Sequence, residues 1–270
     1  MSDKNFVNHI SSFYSLCKDL GKLQLDRQKD LDINLKSDNT PVTNIDLYSS
    51  KIIVQHISEC FDDDIIISEE SYTNNNGNSS YWLIDPIDGT KNYINGGKEF
   101  CICISYIKNN YPIFGIIYIP FSQEFYYAIE SQGAYLIDNA SKKSKRIANI
   151  NIQNNIYVSS SIRQSLVDML KTNFKNSNLI YMSSAVKFVR IADGQGHLSL
   201  RLGPTYEWDT AAGQCIVEES GGLFLDKNLK RFSYGNTDNY LNSPFFVING
   251  DIEKYKSTIS QSLSLVGLTL

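Results

Sequence analysis

Residues 82–93 read WLIDPIDGTKNY, and the reading of the whole chain turns on them. The apolar run at 81–84 predicts a buried strand, followed by Asp85, Pro86, Ile87, Asp88, Gly89 and Thr90. Pro86 fixes its own φ and lacks an N–H, which predicts that the strand stops there. Gly89 lets the backbone turn tightly and approach a ligand. Asp85 and Asp88 lie three residues apart across a kinked turn and can converge on one point. Carboxylates that close repel unless a positive charge lies between them. Oxygen donors without His or thiolate suit Mg²⁺ better than zinc or copper. Asp, Pro and Gly are also ordinary turn formers, so this stretch alone leaves both readings open.

A chain of 270 residues suffices for one large domain or two smaller ones with a substantial core. Its hydrophobic content of 42% is that of an ordinary globular protein. The net charge of −4 argues against nucleic acid as a partner. The short cluster Lys142, Lys143, Lys145 and Arg146 reads as a solvated loop. An acidic protein acting on an anion must supply positive charge locally, by metal, helix ends or single Lys and Arg residues. The start, MSDKNFVNHISSFY, lacks the pattern of a secretory signal, and no apolar run reaches a membrane span. Cys17, Cys60, Cys101, Cys103 and Cys215 form no CxxC pair and read as free, mostly buried thiols of a reducing compartment. Cys101 and Cys103 alternate within a strand pattern, so they share one face and pack there. His9, His56 and His197 make no ligand-like cluster.

Phe6, Ile10, Phe13, Cys17 and Leu20 recur at helical spacing and predict a long first helix. Pro41 bars a helix at 38–43. Thr43 or Asn44 can cap a second helix with Asp46 in its first turn, where a carboxylate also suits the helix dipole. IIISEES predicts a short buried strand ending at Glu69 and Glu70; a solvated loop end is the commoner fate of such a pair. TNNNGNSS at 73–80 reads as a polar, mobile loop. Residues 100–107, 112–119 and 124–129 predict an antiparallel meander. The polar stretch at 140–155 reads as a domain boundary, dividing 1–150 from 151–270. Beyond it, strands at 156–159, 179–182, 197–202 and 245–248 alternate with helices at 164–174, 185–192 and 209–219, closed by a helix from about 251, in the manner of an α/β layer. Four acidic spots then stand out: Asp46, Glu69 with Glu70, Asp85 with Asp88, and Asp209. Three of them sit where an inferred strand ends or a helix begins, the edge at which open α/β sheets place ligands.

Taken in order, Asp46, Glu69–Glu70, DPIDGT at 85–90 and Trp208–Asp209 resemble the signature of the inositol monophosphatase-like, Mg²⁺-dependent, lithium-sensitive phosphatases. The resemblance covers nearly the whole chain and implies their layered αβαβα sugar-phosphatase fold, an α+β half followed by an α/β half. DNTPVTNID, SSAVKF, RLGPTYEWDTAAG and LNSPFF look like the bacterial CysQ-type 3'(2'),5'-bisphosphate nucleotidase branch. The Asn- and Tyr-rich surface and the loop before Tyr81 depart from the pattern without touching the signature.

The resemblance implies roles. Glu69, Asp85, Asp88, Asp209 and the Ile87 carbonyl would hold two or more Mg²⁺ ions. Asp46 and Thr90 would orient and deprotonate the attacking water, with Glu70 close behind. The N–H groups of Gly89 and Thr90 would grip the phosphate, beside Glu69 and Asp209. Ser184, Lys187, Arg201 and Glu207 would face the nucleotide. The N-terminal half would supply most metal ligands, and the C-terminal half Asp209 and the nucleotide pocket. The implied reaction is hydrolysis of the 3'-phosphate of adenosine 3',5'-bisphosphate, or its sulfated form, to give AMP or its sulfated counterpart. The alternatives are an inositol monophosphatase or other small phosphomonoesterase, and, in another class, a non-enzymatic divalent-ion binder. A monomer or homodimer is expected, in the cytoplasm or resting on the inner face of the membrane.

Overall fold

The computed structural model describes residues 4–269 apart from 37, 72–76, 138–141, 149, 151 and 236–238. A 3₁₀ turn (Phe6–His9) leads into α1 (Ile10–Arg27). A small hairpin, β1 (Ile33–Leu35) and β2 (Pro41–Thr43), precedes α2 (Asn44–Cys60). Next come β3 (Ile66–Ser68), β4 (Ser80–Asp88), the short α3 (Thr90–Ile94), β5 (Cys101–Lys108), β6 (Tyr111–Ile119), β7 (Glu124–Ile129), β8 (Gly133–Ile137) and β9 (Ser144–Ile147). These strands form a seven-stranded sheet in chain order, antiparallel except for the parallel pair β3 and β4. The second half runs β10 (Asn155–Val158), α4 (Gln164–Asn173), β11 (Asn178–Tyr181), α5 (Val186–Ala192), β12 (Leu198–Arg201), a 3₁₀ turn (Glu207–Asp209), α6 (Ala211–Glu219), β13 (Leu223–Asp226), β14 (Phe245–Ile248) and α7 (Lys256–Ser264). Its five strands are ordered β11-β10-β12-β14-β13.

Alternation along each strand separates the layers. Trp82 and Ile84 of β4 face α1 and α2, packing with Phe6, Phe13, Ile53 and Phe61. Tyr81 and Leu83 point the other way, into a core shared with Phe188 of α5 and Ala212, Cys215 and Ile216 of α6. Phe245 and Val247 of β14 close that core from the second sheet. Phe246 and Ile248 face outward onto Leu170 of α4 and Ile259 and Leu263 of α7. The five layers are therefore α1/α2, the large sheet, α5/α6, the small sheet and α4/α7: the αβαβα arrangement.

Several expectations need correction. The strand does not stop at Pro86: β4 runs to Asp88, and its ladder with β5 shifts between Asp85 and Asp88. Pro86 cannot donate to the ladder, but its carbonyl accepts from Gln24 Nε2 at 3.0 Å, so the chain bulges there and resumes pairing. The predicted meander gains two strands, β8 and β9. β9 falls inside the polar stretch read as a boundary, and Lys145 and Arg146 are exposed on this edge strand rather than in a loop. Other parts of that stretch, and residues 72–76 of the polar loop, lie outside the described residues. The polar loop's last residue, Ser80, already belongs to β4. β13, directly after Gly221–Gly222, was not foreseen. Among the described residues no helix is long and apolar enough to cross a membrane.

At Gly115 of β6 the middle layer leaves no room for a side chain on the large sheet. A Cβ there would lie 2.7 Å from the Ala212 carbonyl oxygen and 2.9 Å from Cys215 Cβ, both fixed by α6. Gly115→Ala should therefore cost about 1–3 kcal/mol by overpacking. Urea denaturation measures this; an unchanged midpoint would mean that α6 is not pinned by this contact.

Candidate active site

The bulge in β4 sets the site. Cross-strand register puts Cys103 opposite Asp85 and Cys101 opposite Asp88. Asp85 is almost fully buried and accepts the Ile87 N–H at 3.0 Å. Asp88 accepts the Ala185 N–H in a short hydrogen bond and lies 3.7 Å from the Cys101 thiol. Asp209 reaches the same place from the 3₁₀ turn before α6, with the Tyr206 N–H held at 2.8 Å. Tyr206 stacks on buried Trp208, with 4.9 Å between ring centroids, which fixes that turn.

One carboxylate oxygen each from Asp85, Asp88 and Asp209 lies within 4.8 Å of the others. At an effective dielectric near 20, each pair repels by roughly 3 kcal/mol at that distance. Burial, with Glu69, Asp88 and Asp209 close by, raises Asp85 well above the ordinary carboxylate range. Burial, with Asp88 and Glu69 close by, raises Asp209 likewise. Burial pushes Asp88 up to about 6, against the opposing pull of Lys187 and the Ala185 N–H. Convergent oxygen-only donors of like charge, one buried and two half-buried, fit a hard divalent cation.

Asp46 sits beneath this cage. Thr43 caps α2, and Thr43 and Asp46 form a capping box: the Thr43 N–H donates to Asp46 at 2.9 Å, and the Asp46 and Ile45 N–H groups donate to the Thr43 hydroxyl. The other Asp46 oxygen lies 3.5 Å from the Thr90 hydroxyl, which also donates to the Ile87 carbonyl at 3.1 Å. Burial pushes Asp46 up to about 6, opposed by the Thr43 bonds. Gly89 starts α3 at φ 98°, and a Cβ there would lie 2.9 Å from the Glu99 carbonyl oxygen, so only glycine makes this turn.

Glu69 and Glu70 meet a residue that sequence reasoning missed. Lys36, between β1 and β2, lies 2.7 Å from Glu69 and 2.9 Å from Glu70. Burial works to lower Lys36, but the two glutamates outweigh it and raise the ammonium above its ordinary value. Burial and Glu69 push Glu70 up to about 7. The only signal for Lys36 was a lone Lys before a turn, five residues from Pro41, on a hairpin too short to predict.

The cage opens into a cleft of about 560 Å³ lined by Asp85, Asp88, Thr90, Lys187, Arg201 and Asp209, with Glu69, Gly89 and Ser184 on its walls. Ser184 adopts a left-handed φ of 61°, a conformation that costs a non-glycine residue energy. Its carbonyl accepts from Lys187 Nζ at 2.5 Å. Arg201 donates to Ser159 Oγ at 2.7 Å and to the Pro204 carbonyl at 2.9 Å. Ser159, Ser160 and Ser161 line the cleft and were missed, although a serine run just past a parallel strand is a usual site for a ligand loop. Glu207 does not line the cleft. It is buried behind it, accepting from Tyr81 Oη at 3.2 Å and from the Gly235 N–H at 2.7 Å.

The αβαβα layering thus carries a cleft whose carboxylates fit a divalent cation. The model of the inositol monophosphatase family matches residues 9–258, and the chain belongs to that family. The 3'(2'),5'-bisphosphate nucleotidase CysQ of Aggregatibacter actinomycetemcomitans is 32% identical over 225 residues, 81% of this chain and 84% of that one. The structure of CysQ from Bacteroides thetaiotaomicron superposes with a TM-score of 0.74 at 27% identity, covering 90% of this chain and 99% of that chain. An IMPase/NADP phosphatase complexed with Mg²⁺ and phosphate shares the fold at a TM-score of 0.79 and 19% identity, over 98% of both chains.

The raised carboxylates fix a pH dependence. Asp46 and Asp88, at about 6, and Glu70, at about 7, lie above their ordinary values of 3.8 and 4.5. Between those limits the folded chain binds more protons than the unfolded chain, so these groups' contribution to stability falls as pH rises. In chelator, the melting temperature should drop between about pH 5 and pH 7.5. Mg²⁺ at about 100 times its Kd should restore about 2.7 kcal/mol at the higher pH and less at the lower. Equal gains at both pH values in a calorimetric melt would contradict a cation held by these acids.

Proposed function

We propose that the chain removes the 3'-phosphate of adenosine 3',5'-bisphosphate, giving AMP and inorganic phosphate, in a Mg²⁺-dependent reaction, and that it also accepts the sulfated form of that nucleotide. The observation that carries this reading is one cleft lined both by the carboxylate cage and by three side-chain cations, Lys91, Lys187 and Arg201. A substrate with two separated phosphates uses both features, one ester at the cage and the other phosphate at the cations. An inositol monophosphate has no second phosphate for them. The names of the CysQ relatives support the same choice.

Glu69, Asp85, Asp88, Asp209 and the Ile87 carbonyl would hold the ions, two or more in number. Bound Mg²⁺ supplies Lewis acidity that offsets phosphoryl charge and makes a water nucleophile accessible at neutral pH. The protein's own groups do the rest. Asp46, through the Thr90 hydroxyl, orients the attacking water and takes its proton, and a raised pKa suits a base working near neutrality. Water oxygen bonds to phosphorus as the bond to the 3'-oxygen breaks, and that oxygen leaves with a proton from solvent. The N–H groups of Gly89 and Thr90 meet the phosphoryl oxygens. Glu70 holds Lys36 against Glu69. Ser184, Lys187 and Arg201 position the nucleotide. In this reading residues 1–150 supply most of the cage, and residues 151–270 supply Asp209 and the nucleotide side. The reaction takes place in the cytoplasm, where the free thiols stay reduced.

Two measurements test this. Thr90→Ala should lose about 10²–10⁴-fold in kcat while keeping its thermal stabilisation by Mg²⁺; a variant with full turnover removes Thr90 from the chemistry, and a protein with no turnover to lose would be the ion binder. Arg201→Ala should lower kcat/KM for the bisphosphate roughly tenfold or more, the worth of a charge-assisted hydrogen bond, and leave a monophosphate ester little changed. Faster cleavage of inositol 1-phosphate than of the nucleotide by the wild-type chain would overturn the substrate assignment.

A further inference from the structure

Cys101 and Cys103 are not needed by the reaction just described. Both are buried on one face of β5, and the ladder sets them opposite Asp88 and Asp85. The floor of an oxygen cage is thus lined with sulfur. The two Sγ atoms are 3.8 Å apart, and Cys101 Sγ is 3.7 Å from Asp88 Oδ2. All three residues offer donor atoms within 4.8 Å of one another.

The two shorter spacings are those that a tetrahedral ion requires. Tetrahedral Zn²⁺, with Zn–S near 2.3 Å and Zn–O near 2.1 Å, requires sulfurs about 3.8 Å apart and sulfur and oxygen about 3.6 Å apart. Thiolates select soft or borderline cations and do not hold Mg²⁺. We propose that Cys101, Cys103 and Asp88 form a second cation site, specific for a soft divalent ion of the Zn²⁺ class, which shares Asp88 with the hydrolytic cage. Binding exchanges the two thiol protons for two metal–sulfur bonds, and the protons pass to solvent. Of the three ligands only Asp88 lines the cleft, and both thiols are buried behind it. An ion seated there draws Asp88 away from Mg²⁺, so zinc-class cations inhibit by competing for one shared ligand. That inhibitory consequence rests on the assignment of Asp88 to the Mg²⁺ cage; the site itself does not.

The probe is Cd²⁺, whose thiolate charge-transfer absorption reports sulfur ligation directly. The full chain, freed of metal by chelator, should develop this absorption with one equivalent of CdCl₂ and release about two protons. Mg²⁺-dependent phosphate release should fall in parallel and return with excess Mg²⁺. Cys103→Val, a substitution that suits a buried strand, should need at least about 10–100-fold more Cd²⁺, the loss that an outer-shell partner alone causes, and resist inhibition. The double variant Cys101→Ala, Cys103→Ala should show no absorption band and keep its turnover in cadmium. Cys60→Ser is the control, because Cys60 lies 3.7 Å from His56 and offers another soft pair. A band that survives in both Cys101/Cys103 variants, or vanishes in Cys60→Ser, overturns the site and leaves the two thiols as hydrogen-bonded packing. A band that behaves as expected, with hydrolysis undiminished while cadmium is bound, keeps the soft-cation site and removes Asp88 from the hydrolytic cage.

Discussion

The mutual repulsion of Asp85, Asp88 and Asp209 is the constraint around which the molecule is built. Three like charges, one buried and two half-buried, are unfavourable by several kcal/mol, and several neighbouring elements contribute partial or whole positive charge. Backbone N–H groups of Ile87, Ala185 and Tyr206 each point at one of the three carboxylates. Lys36 faces the adjoining glutamates, and Lys187 lies close enough to oppose the upward push on Asp88. These donors compensate the charges only in part, as the raised carboxylates show. The remaining imbalance is what gives the cleft its affinity for a divalent cation.

Delivering the carboxylates to one point requires the whole architecture. Asp85 and Asp88 come from the bulged end of β4, and Asp209 comes from a turn more than a hundred residues later. They meet because α6 packs against the large sheet with no side chain at Gly115 to hold it off. Asp46 arrives through a helix cap, so one Thr–Asp pair both starts α2 and sets Asp46 beside Thr90. Local structure and chemistry share the same residues here, which couples any loss of one to loss of the other.

Much of this was readable from the residues. The run DPIDGT is ambiguous by itself and points to one chemistry only in series with Asp46, Glu69–Glu70 and Trp208–Asp209, and the helices of the second half lie close to where the sequence places them. What was hidden has physical reasons. Lys36 acts across more than thirty residues of chain, and nothing local distinguishes it from a surface lysine. β8, β9 and β13 are short, and their pairing depends on partners rather than on their own composition. Pro86 was read as a stop because its missing donor weakens a ladder, yet a bulge absorbs that loss without ending the strand. Glu207 adjoins Trp208 and Asp209 in sequence, but consecutive residues of a 3₁₀ turn point in different directions, and Glu207 is turned inward to Tyr81 and Gly235.

The sheet's far border carries a separate consequence. β9 ends the seven-stranded sheet, and a border strand exposes unpaired backbone groups onto which another chain could add. Ser144, Lys145 and Arg146 stand exposed along it. Two like copies approaching along this edge would bring Lys145 and Arg146 of each together, so the strand whose polarity disguised it as a linker disfavours its own pairing with a second copy.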